Sequence, residues 1–224
     1  MKSVPILILL FVVQLGLINA QQVDLADYFV WQKDRPLKFS DYKIHFSNDT
    51  SGYLASYYKD GRLIDTLLPD AFTDTNLLYY GMDDTLALSG IEFNPDYELV
   101  GNKLLYNNSP LFYPHRSYMK IRTPDILCHE QIHFNIVEVY ARELRRYFIK
   151  NEHKGDKMKI YNRICRLENE IDRTNKVFDE DAKVDFIEKG NIKRSDSTWK
   201  KKIDAQLTSL SEYERPHGSV VIKK

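Results

Sequence analysis

From Asp125 to Lys154 the chain contains neither glycine nor proline. Thr123 offers an N-cap, and Pro124 suits the first helical position, where its missing N–H costs no hydrogen bond. Asp125 then falls in the first turn, at the positive end of the helix dipole. Ile126, His129, His133, Val137, Tyr140, Leu144 and Phe148 recur at three- and four-residue spacings and form one stripe. The pattern predicts a long amphipathic helix from Pro124 to about Lys150.

Inside this helix lies His129-Glu130-Gln131-Ile132-His133, an H-E-x-x-H sequence. Histidines four apart project from one helix face, one turn from each other, so both can reach one cation. A glutamate beside the first is placed to take a proton from water at that cation. The positive end of the helix disfavours imidazolium and leaves the rings readier to bind metal. His129 and His133 are therefore the candidate zinc ligands and Glu130 the candidate catalytic base. Cys128 adjoins His129, but neighbouring helix residues diverge by about 100° and cannot both face one ion.

The start of the chain reads as an export signal. Lys2 supplies the positive end, Val4 to Ile18 is almost wholly apolar, and Asn19-Ala20 precedes Gln21-Gln22. Cleavage is expected after Ala20, which gives a periplasmic or secreted protein. The apolar run is short for a membrane span. The whole chain carries 32 basic and 32 acidic residues. Loss of Lys2 leaves it near neutral, with no electrostatic footprint for nucleic acid. Cys128 and Cys165 both fall on expected helices; a disulfide between them and a pair of free thiols are both open readings.

Residues 21–122 read mostly as strand and turn. Strands are expected over Lys43–Phe46, Tyr53–Tyr58, Leu63–Leu67, Leu77–Tyr80, Thr85–Ile91, Glu98–Val100, Lys103–Tyr106 and Tyr118–Ile121. Turns are expected at Asp60-Gly61, Asn94-Pro95, Gly101-Asn102 and Asn107-Asn108-Ser109-Pro110. Sequons stand at Asn48 and Asn107. Residues 123–214 read mostly as helix. After a break at Asn151–Asp156, a second helix is expected from Lys157 to about Phe178, with Ile160, Ile164, Leu167 and Ile171 as its stripe. A polar, acidic stretch follows through Gly190. A third helix starts near Ser197 or Thr198, carrying Trp199, Ile203, Leu207 and Leu210. Residues 215–224 read as a frayed tail with an idle His217. The fold expected is one α+β domain over 21–214: an antiparallel sheet packed on a zincin-like H-E-x-x-H helix, followed by two further helices.

A catalytic zinc usually takes three protein ligands and keeps one position open. Glu168 and Glu170 on the second helix are candidates for the third. So is the acidic run Asp179, Glu180, Asp181 and Asp185, which could fold back over the first helix.

The stretch from Ser117-Tyr118-Met119-Lys120 through Leu127-Cys128-His129-Glu130-Gln131-Ile132-His133-Phe134 to Ala141-Arg142-Glu143-Leu144 resembles a bacterial family of secreted Zn-dependent proteases, domain of unknown function nine-two-two. Trp31 and Leu37-Lys38-Phe39-Ser40-Asp41-Tyr42 fit it more loosely. The resemblance implies a secreted peptidase acting on peptide or protein substrates. It also implies a third ligand, a histidine after the second helix. Phe178-Asp179-Glu180-Asp181-Ala182-Lys183-Val184 is the corresponding stretch here, and Val184 stands at the histidine's place. Asp185 is taken as the substitute ligand, with Asp179 the alternative and His115 a third. Two functions follow as expectations. One is a zinc metallopeptidase using a metal-activated water. The other is a binding or structural envelope protein that has lost the third ligand and, with it, catalysis.

Overall fold

The computed structural model describes residues 28–47, 54–59, 62–67 and 87–222. The expected export signal, the strand over Leu77–Tyr80, the Asp60-Gly61 turn and the sequon at Asn48 lie outside the described residues. Within them the order is β1 (Phe29–Val30), β2 (Ile44–Ser47), β3 (Leu54–Lys59), β4 (Arg62–Leu67), β5 (Ala87–Leu88), β6 (Ile91–Val100), β7 (Lys103–Phe112), β8 (Tyr118–Met119), α1 (Pro124–Ile149), α2 (Lys157–Lys189), α3 (Lys193–Ser209) and β9 (His217–Val221). The class is α+β, with antiparallel sheet and three helices, as expected. No helix among the described residues is long and apolar enough to cross a membrane.

The strands form two sheets where one was expected. In the first, β7 pairs with β6 along its whole length, and β1 and β9 share its other edge. The second runs β4-β3-β2-β8-β5 and is antiparallel except where β2 meets β8. The β6–β7 hairpin turns at Gly101-Asn102, and Gly101 takes φ +59°, a conformation that favours glycine.

The turns expected at Asn94-Pro95 and Asn107–Pro110 are instead inside β6 and β7. Among the described residues β6 pairs only with β7, which makes it an edge strand there, where proline is tolerated because one side of its backbone has no ladder bond to lose. On β7, Asn108 is fully buried and its amide donates to the Ala141 carbonyl of α1 at 3.1 Å. What reads as turn composition is a polar contact between sheet and helix. The expected frayed tail is likewise the strand β9. Val220 and Ile222 give it an apolar face that packs on the core. Gly218 lets it lie against the Tyr106 ring, where a Cβ would meet the hydroxyl at 2.6 Å.

α1 is the hub. Thr123 accepts from Ile126 N–H, and Pro124 opens the helix, as the sequence predicts. Burial extends well beyond the expected stripe, because α1 meets a different neighbour on each side. Phe134 and Ile126 pack with Leu37, Tyr42, Phe112 and Met119. Leu144 and Phe148 meet Leu104 and Tyr106 of β7 and Ile160, Ile164 and Leu167 of α2. Ile132, Ile136 and Val139 meet Phe178 of α2 and Trp199 and Ile203 of α3. Each such side chain withdrawn from water stabilises the fold by roughly 1.5–3 kcal/mol.

Charged groups join the same core. Glu138 is buried and accepts from Arg142 Nε and Arg145 Nη2, both at 2.7 Å. Arg145 also donates to the Tyr213 carbonyl at 2.8 Å, and Arg142 to the Leu207 carbonyl at 2.9 Å. The triad thus ties the end of α3 and the segment before β9 to α1. On the opposite flank, Gln131 accepts from Leu37 N–H, and Asn135 accepts from the Trp31 indole.

α2 runs eleven residues past Phe178, the end the sequence suggests. The reason is visible in its burial: Ile171, Phe178, Ala182 and Asp185 continue the inward stripe, and no glycine or proline interrupts it before Gly190. Gly190, at φ +69°, then closes the helix. α3 begins about a turn earlier than expected. Asp185 of α2 accepts from Ser195 N–H at 2.6 Å, which caps α3 from outside its own sequence. Cys128 and Cys165 are free thiols.

Candidate metal centre

Three side chains from α1 and α2 converge. Asp179 Oδ1 lies 2.9 Å from His133 Nε2 and 3.2 Å from His129 Nε2. The two Nε2 atoms are themselves 3.2 Å apart. A tetrahedral ion with bonds of about 2.0–2.1 Å keeps its ligand atoms about 3.4 Å apart. The triangle is therefore close to one face of such a coordination shell. Among the described residues, His129, His133 and Asp179 form a group able to hold a metal ion.

The arrangement follows from helix geometry. His129 and His133 are one turn apart on α1, and Asn175 and Asp179 are one turn apart on the facing side of α2. The helices run antiparallel here, so Asn175 backs His133 while Asp179, a turn further on, reaches both rings. Phe178, fully buried between them, stacks its ring on His129 at 4.3 Å between centroids and 25° between planes. It forms an apolar floor. The other side is open: Asp179's side chain is 56% exposed, against 13% and 14% for the two histidines.

The far side of each ring fixes its protonation. His129 Nδ1 lies 3.0 Å from Asp196 Oδ1, and His133 Nδ1 lies 3.0 Å from Asn175 Oδ1. Both partners are acceptors, so each Nδ1 carries a proton, and each ring in its neutral form turns a lone pair inward from Nε2. Two lone pairs and a carboxylate oxygen then face one another with no donor among them. Such a group is satisfied by a cation, either a metal ion or added protons. The charges acting on the rings agree. Burial opposes charge on His129, but the carboxylates of Asp179 and Asp196 outweigh it, with help from Glu130, and push its pKa up to about 9. His133 is raised as well: burial again opposes and Asp179 prevails. Asp179 is held below the usual carboxylate range, because the two histidines outweigh its own desolvation.

Glu130 is buried on α1. Its charge reaches both imidazoles and also Tyr42, whose hydroxyl is pushed up by burial and then by Glu130. Tyr42 shares a 2.9 Å hydrogen bond with Ser89.

Asp185, taken from the sequence as the third ligand, is not in this cluster. One oxygen caps α3 through Ser195 and the other meets Lys189 Nζ at 2.8 Å. Because α2 stays helical, residue 185 lies about 240° around the axis from residue 179 and faces α3 instead. Val184 is about 140° from Asp179 on the same helix, and it is exposed. His115 lies in a turn before β8 and Glu168 and Glu170 lie two to three turns back along α2, all outside the group. Sequence reasoning gave no sign of Asn175 or Asp196. Their spacing on α2 and in the first turn of α3 is ordinary, and only the packing of three helices brings them to the rings. Cys128 points elsewhere, its thiol pushed up by burial and by the charge of Asp196. A cavity of about 500 Å³ lined by Tyr106, Lys150, Arg215 and His217 lies at the opposite end of α1, about 30 Å along the helix.

No family model, no curated protein and no solved structure matches the chain.

Proposed function

We propose that the chain is an exported zinc-dependent peptidase whose metal is held by His129, His133 and Asp179. The observation that carries this reading is the inward-facing triangle of two Nε2 atoms and a carboxylate oxygen, backed by hydrogen bonds that fix both rings. Two imidazoles and a carboxylate suit zinc, and three protein ligands leave the open position that catalytic sites keep. A structural zinc is usually closed by four protein ligands. The exposed side of Asp179 supports an open site instead.

When bound, zinc acidifies water and polarises a carbonyl. The chain's own residues do the rest. Glu130, next to His129, takes the proton of the attacking water and passes it to the leaving amine. Asp196 and Asn175 keep both Nδ1 protons in place, so the Nε2 lone pairs stay directed at the ion. Phe178 closes the apolar side against water. The H-E-x-x-H sequence, the export signal and the resemblance to the secreted protease family add to this reading. A non-catalytic role rested on the lack of a third ligand at Val184, and Asp179 supplies one from another helix face.

Zinc content and hydrolysis of an unfolded protein substrate test the proposal together. The wild-type chain should take up about one zinc and cleave the substrate. Glu130→Gln should keep the zinc and lose at least about 10²–10⁴-fold in rate. A Glu130→Gln variant as active as wild type would overturn the assignment.

A further inference from the structure

We propose that Asp196 is a positioning residue that makes His129 the stronger of the two imidazole ligands, so that metal affinity is set from α3 as well as from α1 and α2. This rests on the metal-centre reading above. The two rings have backing partners at the same distance, 3.0 Å, but of different chemistry: a carboxylate behind His129 and a neutral amide behind His133. When an imidazole gives electron density to a cation, its remaining N–H becomes more acidic, and a carboxylate acceptor strengthens with it far more than an amide does.

Asp196 is also an unusual side chain for a structural role. It is 5% exposed, and its Oδ2 is buried with no hydrogen-bond partner. A carboxylate withdrawn from water in this way is costly unless its charge is used. Here the bond to His129 Nδ1 is its ring contact, so its charge is directed at that ligand. Its place in the first turn of α3 lowers the cost, since the helix dipole favours an anion there. α3 is itself held by Trp199 and Ile203 in the core and by the Asp185 cap. The carboxylate is thus fixed by a third helix that contributes no ligand.

The test is the zinc dissociation constant, measured by chelator competition on the full chain, for wild type, Asp196→Asn and Asn175→Asp. Asp196→Asn keeps the shape and should weaken zinc by about 10- to 100-fold. Asn175→Asp gives His133 the same backing and should tighten zinc, which a purely structural role for these positions does not predict. Should Asp196→Asn fail to fold, the direction of change in Asn175→Asp still decides. Wild-type affinity in both variants, in protein that binds zinc, overturns this inference and leaves the metal centre standing. A wild-type chain that takes up no zinc overturns the metal centre and this inference with it.

Discussion

Asp179 on α2 places Oδ1 2.9 Å from Nε2 of His133 on α1. The contact turns a histidine pair into a three-cornered donor set, and it joins the two helices at the solvent-facing rim of the Phe178 packing. Replacing Asp179 by alanine should therefore separate metal binding from folding. Zinc affinity should fall by at least about 100-fold. The melting temperature of metal-free protein should move by only a few degrees, because the side chain is more than half exposed. Isothermal titration with zinc, paired with thermal unfolding in chelator, checks both. Undiminished zinc binding would remove Asp179 from the centre.

Between pH 6.5 and 9, stability should fall with pH in metal-free protein and stay nearly level in zinc-loaded protein. In metal-free protein His129 is raised from 6.5 to about 9. A raised histidine contributes stability that is complete below its unfolded value and is lost as pH climbs through the folded one. Asp179, held low, contributes above 3.8 and loses that contribution in acid. Chelated protein should thus lose melting temperature between pH 6.5 and 9, and Asp179→Asn should flatten the decline. Zinc needs unprotonated rings, so the rise in melting temperature on adding zinc should grow over the same interval. Chelated protein that gains stability up to pH 9 would contradict the site's electrostatics.

Val184→His should not create a better metal site. The substitution introduces the histidine that the resemblance to the secreted protease family leads one to expect at this position. On the continuous helix α2, however, position 184 points about 140° away from Asp179 and into solvent. Unchanged zinc affinity, measured by chelator competition, is the expected result. A gain of tenfold or more would show that this part of α2 is arranged differently.

Glu138→Ala should be severe for a reason unrelated to metal. The carboxylate pairs with both Arg142 and Arg145, which are almost fully buried. Removing one partner of a buried ionic group leaves uncompensated charge, at a cost of about 3–5 kcal/mol. Urea unfolding of the metal-free variant should show a loss of that size in extrapolated stability. A loss under about 1 kcal/mol would mean that water or another group takes over from Glu138.

The first helix was legible because its signals are local. Thr123 and Pro124 mark its start, and the four-residue spacing of His129 and His133 sets them on one face. The Gly101-Asn102 turn and the stripe from Ile160 to Ile171 were readable on the same terms. The acidic run after Phe178 misled because Asp-Glu-Asp composition suggests a solvated end, whereas burial of Phe178, Ala182 and Asp185 keeps the segment helical. That continuation decides which carboxylate faces the histidines: Asp179 does, and Asp185 turns to cap α3. Asn175 and Asp196 were out of reach, since their value depends on helices brought together from 42 and 67 residues away. The strand β9 was hidden for a similar reason: a five-residue strand at a chain end declares itself only through the partner it pairs with.

X-ray absorption at the zinc edge, on protein loaded with one equivalent of zinc, reads out whether both imidazoles hold the ion. The triangle of His129, His133 and Asp179 predicts a four-coordinate ion with two imidazole nitrogens at about 2.0–2.1 Å and oxygen for the remainder. It also predicts loss of one imidazole in His129→Ala and again in His133→Ala. A chain that retains no zinc, or a coordination shell unchanged by those two substitutions, would contradict it.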